Sequence, residues 1–379
     1  MPETHQTVQA TYSANLGEFE PAVKTALMQL RSDRIVERIW AHDHTVWKED
    51  PAEITNRLGW LESPEKMKET LPEITQFVQE VREAGYTHAL LLGMGGSSLA
   101  PEMFRNIHAV AQGCLDLSVL DSTDPGAVLT HVRRLNFSKT LFMVSTKSGG
   151  TVETLSFMKF FYNKVSEALG RHAAGAHFIA ITDPGSSLES LARTLDFRRT
   201  FLNDPDIGGR YSALSYFGLV PAALIGMDLA MLLERATLMA KDCTAPADIN
   251  PGALLGALIG AMARAGRDKL TLVSSPQIAP FGAWVEQLIA ESTGKEGKGI
   301  LPVHGETLLE PTVYSDDRLF VNLGLKGDNT YETELTALEQ RGHIVIRIRL
   351  SDLYDLGKEI FRWEIATAIA GSILGLSLI

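Results

Sequence analysis

Short apolar runs alternate with helix-like stretches along this chain. Runs at residues 88–92, 117–120, 140–145 and 177–182 are separated by helix-like segments at 101–110, 126–135 and 151–169. Strand, helix and strand in repeated order fold as a parallel sheet with helices on both faces. A second alternation begins at Lys269, with strand-like runs at 270–274, 318–323 and 343–350 and helix-like segments at 280–292, 330–341 and 353–378. Residues 216–241 and 251–265 read as helical. Residues 1–60 read as helical too, and 64–84 as an amphipathic helix with Met67, Leu71, Ile74, Phe77, Val78 and Val81 on its apolar face. At 379 residues, 45% of them hydrophobic, the chain has enough apolar material for two or three domains. The expected division is an N-terminal helical segment (1–49), a first α/β domain (50–205), bridging helices (206–249) and a second α/β domain (250–379). The chain stops at Leu378-Ile379, inside an apolar run with no polar tail. Natural termini usually lie at the surface. The expectation is that the native protein continues past Ile379 and that the second domain is incomplete on its C-terminal side.

Two of the strand-like runs end in loops of glycine and hydroxyl residues. Gly93-Met94-Gly95-Gly96-Ser97-Ser98 follows the first, and Thr146-Lys147-Ser148-Gly149-Gly150-Thr151 follows the third. Each loop leads into a helix-like stretch. Backbone N–H groups at such a helix start point outward, hydroxyls add donors and the helix dipole favours negative charge. Two such loops, one carrying a lysine, point to a small phosphorylated ligand. A dinucleotide fingerprint fails because Ser98 stands where its third glycine belongs, which also weakens a ribose-binding reading of Asp121. A nucleotide P-loop fails for want of G-x-x-x-x-G-K-[ST]. Asp183-Pro184-Gly185-Ser186-Ser187 is a further turn at a strand end.

Gly208-Gly209-Arg210-Tyr211-Ser212 sets an arginine on a turn. It could pair with Asp204 or Asp206, or act as a fixed cation for a developing oxyanion. Gln287 and Glu291 lie four apart on a predicted helix, hence on one face. Such a glutamate is usually solvated, and it is also a suitable base for a proton beside a carbonyl. His42-Asp43-His44 lacks a third metal ligand, so no metal is expected. Cys114 and Cys243 are ordinary thiols of a reducing compartment. The net charge of −11 and isoelectric point near 5.4 argue against a nucleic-acid partner. The polar N-terminus is no signal peptide, and residues 365–379 are too short to span a bilayer.

The four segments Gly93-Met94-Gly95-Gly96-Ser97, Thr146-Lys147-Ser148-Gly149-Gly150-Thr151-Val152-Glu153-Thr154, Gly208-Gly209-Arg210-Tyr211-Ser212 and Gln287 through Glu291-Ser292-Thr293-Gly294-Lys295 resemble, in order, the motifs of the glucose-6-phosphate isomerase family. Residues 38–40 through 56–60 look like the isomerase half of bifunctional transaldolase/glucose-6-phosphate isomerase chains; no transaldolase part is present. The resemblance implies two sugar-isomerase (SIS) domains, each a doubly wound αβα sandwich with a parallel sheet. It implies interconversion of glucose 6-phosphate and fructose 6-phosphate through a cis-enediol, without metal or organic cofactor. Ser97, Thr146, Lys147, Ser148 and Thr151 match phosphate-holding positions, and Gly96 admits the backbone. Arg210 matches the arginine that stabilises the enediolate, Gln287 a sugar contact and Glu291 the base. Glu153 matches a position near the site. The family's Gly-x-x-Gly-Gln-His segment, with its ring-opening histidine, has no match here; Pro302-Val303-His304-Gly305 does not fit it. The Asn-Pro-Phe-Asp-Gln type segment and its following lysine would begin where the chain ends. A sugar-phosphate substrate, a cytoplasmic location and a possible homodimer are the implied setting. A dual phosphoglucose/phosphomannose isomerase and a non-catalytic sugar-phosphate-binding SIS module are the alternatives.

Overall fold

The computed structural model of the chain describes residues 12–377. The polar segment before residue 12 and the terminal pair Leu378-Ile379, which bear on the signal-peptide and chain-end expectations, lie outside the described residues. The strands are β1 (Tyr12–Ala14), β2 (His88–Gly93), β3 (Asp116–Leu120), β4 (Thr140–Ser145), β5 (Phe178–Thr182), β6 (Arg199–Leu202), β7 (Lys269–Ser274), β8 (Leu301–Val303), β9 (Arg318–Leu325) and β10 (Val345–Leu350). They form two sheets, ordered β3-β2-β4-β5-β6 and β1-β10-β9-β7-β8. The first is parallel throughout. The second is parallel except for β1, which pairs antiparallel with β10. The contacts group the chain into two compact units, one of Glu62–Leu233 and one joining residues up to Leu61 with those from Glu234 onward.

In the first unit every residue of β4 and β5 is buried. A strand buried on both faces needs helices on both, which is why these runs are apolar without alternation. Leu90, Leu92, Phe142, Val144, Phe178 and Ala180 pack on Phe157, Met158, Phe161 and Val165 of the helix Val152–Leu169. On the sheet's edge, Phe77 of the helix Leu71–Glu83 meets Phe201 of β6 edge-on, with ring centroids 5.1 Å apart. In β2 and β4, Gly93 lies opposite Ser145, so the two glycine-hydroxyl loops leave the sheet at the same level. The winding reverses between these strands, because β3 lies on one side of β2 and β4 on the other. Ligands of open α/β sheets bind at such a reversal, beyond the carboxyl ends of the strands.

In the second unit, Val273, Phe320 and Val345 pack against Leu335 and Leu338 of the helix Glu332–Gln340. The helix Pro251–Arg264 lies against Leu356–Leu374 along a glycine stripe. A Cβ on Gly252, Gly256 or Gly260 would meet Ile365, Ile369 or Ile373 within 2.5–3.1 Å. Without side chains on that stripe the two helices approach closely.

The doubly wound α/β architecture expected above is the architecture observed, with several local differences. Residues 64–84 form two helices, Ser63–Glu69 and Leu71–Glu83, because Pro72 has no N–H to continue the first. The stretch 216–241 breaks at Gly226, which adopts a positive φ of 88°, into Tyr216–Leu224 and Leu229–Asp242. The last helix ends at Leu374, where Gly375 is left-handed. The N-terminal region holds strand β1 besides the helices Glu20–Ser32 and Ile35–Trp40. Strands β6 and β8 are edge strands that the apolar pattern does not announce: one begins with arginine and the other contains Pro302.

Candidate active site

The loop after β2 folds as a single 3-10 turn, Gly95–Ser97, before the helix Leu99–His108. The Ser98 hydroxyl is buried and donates to the Gly95 carbonyl at 3.1 Å. The loop after β4 is cross-linked by its own hydroxyls. Thr146 Oγ1 and Thr151 Oγ1 lie 2.9 Å apart, and Ser148 Oγ accepts from the Gly150 N–H at 3.2 Å. Gly149 sits at φ 71°, and a Cβ there would stand 2.7 Å from the Leu188 nitrogen. The two loops are joined by Ser145, whose hydroxyl donates to the Ser97 carbonyl at 3.2 Å.

No side chain caps the helix after either loop. Two neighbouring helices on this sheet are capped, Pro125–Arg134 by Asp124 and Ser187–Thr194 by Ser186. An uncapped helix start leaves first-turn amides for water or for a bound anion.

The turn carrying Arg210 rests on the first loop. A Cβ on Gly96 would lie 2.3 Å from the Gly209 carbonyl oxygen and 3.0 Å from the Arg210 nitrogen, so only glycine allows this seat. Ser212 Oγ donates to Gly209 at 2.6 Å and holds the turn closed. Asp204 accepts from Lys66 at 3.3 Å and from the Asp206 N–H at 2.9 Å. The fold thus gathers Gly96, Ser97, Thr146, Lys147, Ser148, Thr151 and the Arg210 turn at one end of one sheet. The Lys147 ammonium donates to the Asp183 carboxylate and, at 2.7 Å, to the Pro205 carbonyl. The sequence marks Asp183 only as a turn residue, since its meeting with Lys147 depends on β5 lying beside β4.

Gln287 and Glu291 belong to the other unit, on the helix Phe281–Thr293. Gln287 Nε2 donates to Glu291 Oε1 at 2.8 Å, as their spacing requires, and Glu291 is exposed. On the same helix Glu286 meets His304 Nε2 at 2.8 Å. Asp43, within the His-Asp-His stretch, caps the turn His44–Val46 and accepts from Arg38 at 2.8 Å. Hydrogen bonds from Thr45 and Arg38 hold its carboxyl down to about 2. Among the described residues no cluster of three or more metal-ligating side chains occurs, and no helix is long and apolar enough to cross a membrane.

Residues 59–300 match the family model described as phosphoglucose isomerase. The chain belongs to the phosphoglucose isomerase family. It is similar to a glucose-6-phosphate isomerase of Desulfitobacterium hafniense, 32% identical over 315 residues that make up 74% of this chain and 57% of that protein. A glucose-6-phosphate isomerase of Trichormus variabilis is 30% identical over 302 residues, 73% of this chain and 54% of that protein. The chain therefore spans a little over half the length of these curated relatives. Among solved structures, a hypothetical protein from Thermus thermophilus superposes with a TM-score of 0.82 at 24% identity, covering 97% of this chain and 95% of that one. A glucose-6-phosphate isomerase from Chlamydia trachomatis gives a TM-score of 0.80 at 15% identity, covering 99% and 87%. At these identities the likeness is one of fold.

Proposed function

We propose that this member of the phosphoglucose isomerase family is an aldose–ketose isomerase that interconverts glucose 6-phosphate and fructose 6-phosphate. The observation that supports it most is the seat of Gly96 against the Gly209-Arg210 backbone, which joins an anion-binding loop to a turn carrying a permanent cation. In this reading, hydroxyls of Ser97, Thr146, Ser148 and Thr151, with the Lys147 ammonium, hold the phosphate, and Gly96 admits the backbone. Binding free energy from that remote group positions the reacting carbons. The Glu291 carboxylate takes the proton from C2 of the open-chain aldose while the C1 carbonyl oxygen gains the charge. Arg210 stabilises that oxygen, a contribution of about 3 kcal/mol for a well-placed donor. The C2 hydroxyl proton passes to the C1 oxygen, Glu291 returns its proton to C1 and C2 becomes the ketone carbon, so no oxidant is consumed. Gln287 contacts the sugar and orients Glu291 through their hydrogen bond. A cytoplasmic location and a homodimer belong to the same proposal; sedimentation at micromolar concentration checks the second.

A coupled assay for glucose 6-phosphate formed from fructose 6-phosphate tests the chemistry. Glu291→Gln is expected to lower turnover by about a thousandfold or more, with fructose 6-phosphate binding retained within about threefold. Full turnover in Glu291→Gln would remove the base assignment. Heat-silent calorimetry with saturating fructose 6-phosphate would remove the substrate assignment.

A further inference from the structure

We propose that Asp183 is a positioning residue. With the Pro205 carbonyl it holds the Lys147 ammonium as a strut that fixes the phosphate loop to the segment leading into Arg210. The proposal rests on the reading that the 146–151 loop holds the substrate phosphate.

Three strand ends meet at this ammonium. Lys147 leaves β4, Asp183 follows β5 and Pro205 follows β6. The Lys147 and Asp183 side chains are only 22% and 14% exposed, so water screens their pairing weakly. The backbones are joined as well: the Asp183 N–H donates to the Lys147 carbonyl at 3.1 Å, and the Thr182 hydroxyl reaches the same oxygen at 3.2 Å. Ser187 Oγ donates to the Gly149 carbonyl at 2.7 Å. On the β6 side, the Asn203 N–H donates to Thr182 at 2.8 Å and the Ile207 N–H to Asp204 at 3.2 Å. From Pro205 it is five residues to Arg210.

An ammonium has three N–H donors. Asp183 and Pro205 engage two of them, which leaves one for a phosphate oxygen. A lysine held this way is aimed before substrate arrives, whereas a free lysine must surrender its rotamer freedom on binding. Removing the Asp183 carboxylate leaves the ammonium charge in place and adds no repulsion to the phosphate. It frees the strut, and with it the register between the phosphate loop and the Arg210 turn. Turnover should therefore suffer more than substrate affinity. A misplacement of about 1 Å at a reacting group costs about a hundredfold.

The test is a double-mutant cycle on the full chain, with steady-state isomerisation of fructose 6-phosphate and hydrogen exchange read in parallel. Asp183→Ala is expected to lower kcat by about ten- to a hundredfold while KM moves less than about threefold. Asp183→Asn, whose amide oxygen still accepts from the ammonium, should recover most of that loss. Lys147→Met should lower kcat and raise KM. In the Lys147→Met background, Asp183→Ala should cost less than about twofold more, because the partner it positions is gone. Amide exchange should quicken in both 146–151 and 206–211 for either single variant. A kcat for Asp183→Ala within about twofold of the parent, or an undiminished loss in the Lys147→Met background, overturns the proposal. So does exchange that quickens only within 183–187. If the parent chain does not isomerise fructose 6-phosphate, the functional reading falls; the exchange data then still decide whether the strut exists.

Discussion

The two sheets share a winding and differ at the crevice where that winding reverses. In the first, the strand ends at β2 and β4 open into glycine and hydroxyl loops that lead to uncapped helices. In the second, the corresponding strands are β7 and β9, and Ser275 fills the gap. Its N–H donates to Leu323 at 2.9 Å, its hydroxyl oxygen accepts the Leu325 N–H at 2.9 Å, and its hydroxyl holds the Asp328 carboxyl below its usual range. The connection onward runs through Pro276 and Pro280, which have no N–H to offer. A parallel scaffold alone therefore does not make an anion site. The helices after β7 and β9 carry no side-chain cap either, so what sets the first sheet apart is the open glycine-hydroxyl loop at each strand end.

The cores differ in the same sense. The first unit packs Phe142, Phe161 and Phe178 around one another, with centroids 4.9–5.3 Å apart where they are paired. The second buries ionisable side chains on the helix Leu356–Leu374, where Glu359, Arg362 and Glu364 are at most 2% exposed. Burial alone pushes the Glu364 carboxyl well above its usual range.

The contrast predicts effects of graded size. Gly96→Ala should be the most damaging to function, because the Gly209 carbonyl at 2.3 Å belongs to backbone and cannot step aside. A loss of about a hundredfold or more in kcat/KM for fructose 6-phosphate is expected. Gly150→Ala in the second loop, whose added Cβ would meet only Ser148 Oγ at 3.8 Å, should stay within about threefold of the parent. Equal damage from the two would show that the Gly96 seat is not special.

Gly256→Ala should do the reverse in the other unit. Its Cβ would stand 2.6 Å from the Ala366 oxygen and from Ile369 Cβ, forcing two packed helices apart. Urea denaturation should show about 1–3 kcal/mol of lost stability, with fructose 6-phosphate affinity unchanged. A loss of affinity that exceeds the loss of stability would contradict a purely structural second core.

Glu364→Gln should stabilise the protein at neutral pH, by on the order of 1 kcal/mol. The folded carboxyl is raised above the ordinary 4.5, so the folded chain keeps a proton that the unfolded chain releases. Its stability is fullest below about that pH and falls as pH rises above it; the glutamine variant lacks this fall. Thermal melts of both proteins from pH 4 to 8 measure it, and parallel curves would count against a strained Glu364.

The smallest effect belongs to Asp43. Its carboxyl is depressed from 3.8 to about 2, so its contribution is complete above the ordinary value and disappears as pH drops through the depressed one. Partly exposed, it should be worth under about 1 kcal/mol, and Asp43→Asn should flatten the stability curve only in that acid window.

Much of this was legible in residue order. The run 140–145 coincides with β4, both glycine-hydroxyl loops stand at strand ends, and Gln287 and Glu291 share a helix face. These features depend on neighbours within a few positions. The break at Thr70 was legible in principle from Pro72, yet the apolar periodicity of 64–84 runs straight through it. Strands β1, β6 and β8 were not legible, because short edge strands are stabilised by the strand they pair with and need no apolar pattern of their own.

Residue order by itself determined the α/β class, the positions of the loops and the chemistry available in them. Alternating apolar runs, glycines and hydroxyls act through local backbone geometry. The tertiary structure alone decided that residues up to Leu61 pack with those beyond Glu234, that the Arg210 turn sits on Gly96, and that Asp183 meets Lys147. Those pairings join positions far apart in the chain. They follow from strand order and close packing, which no local pattern encodes.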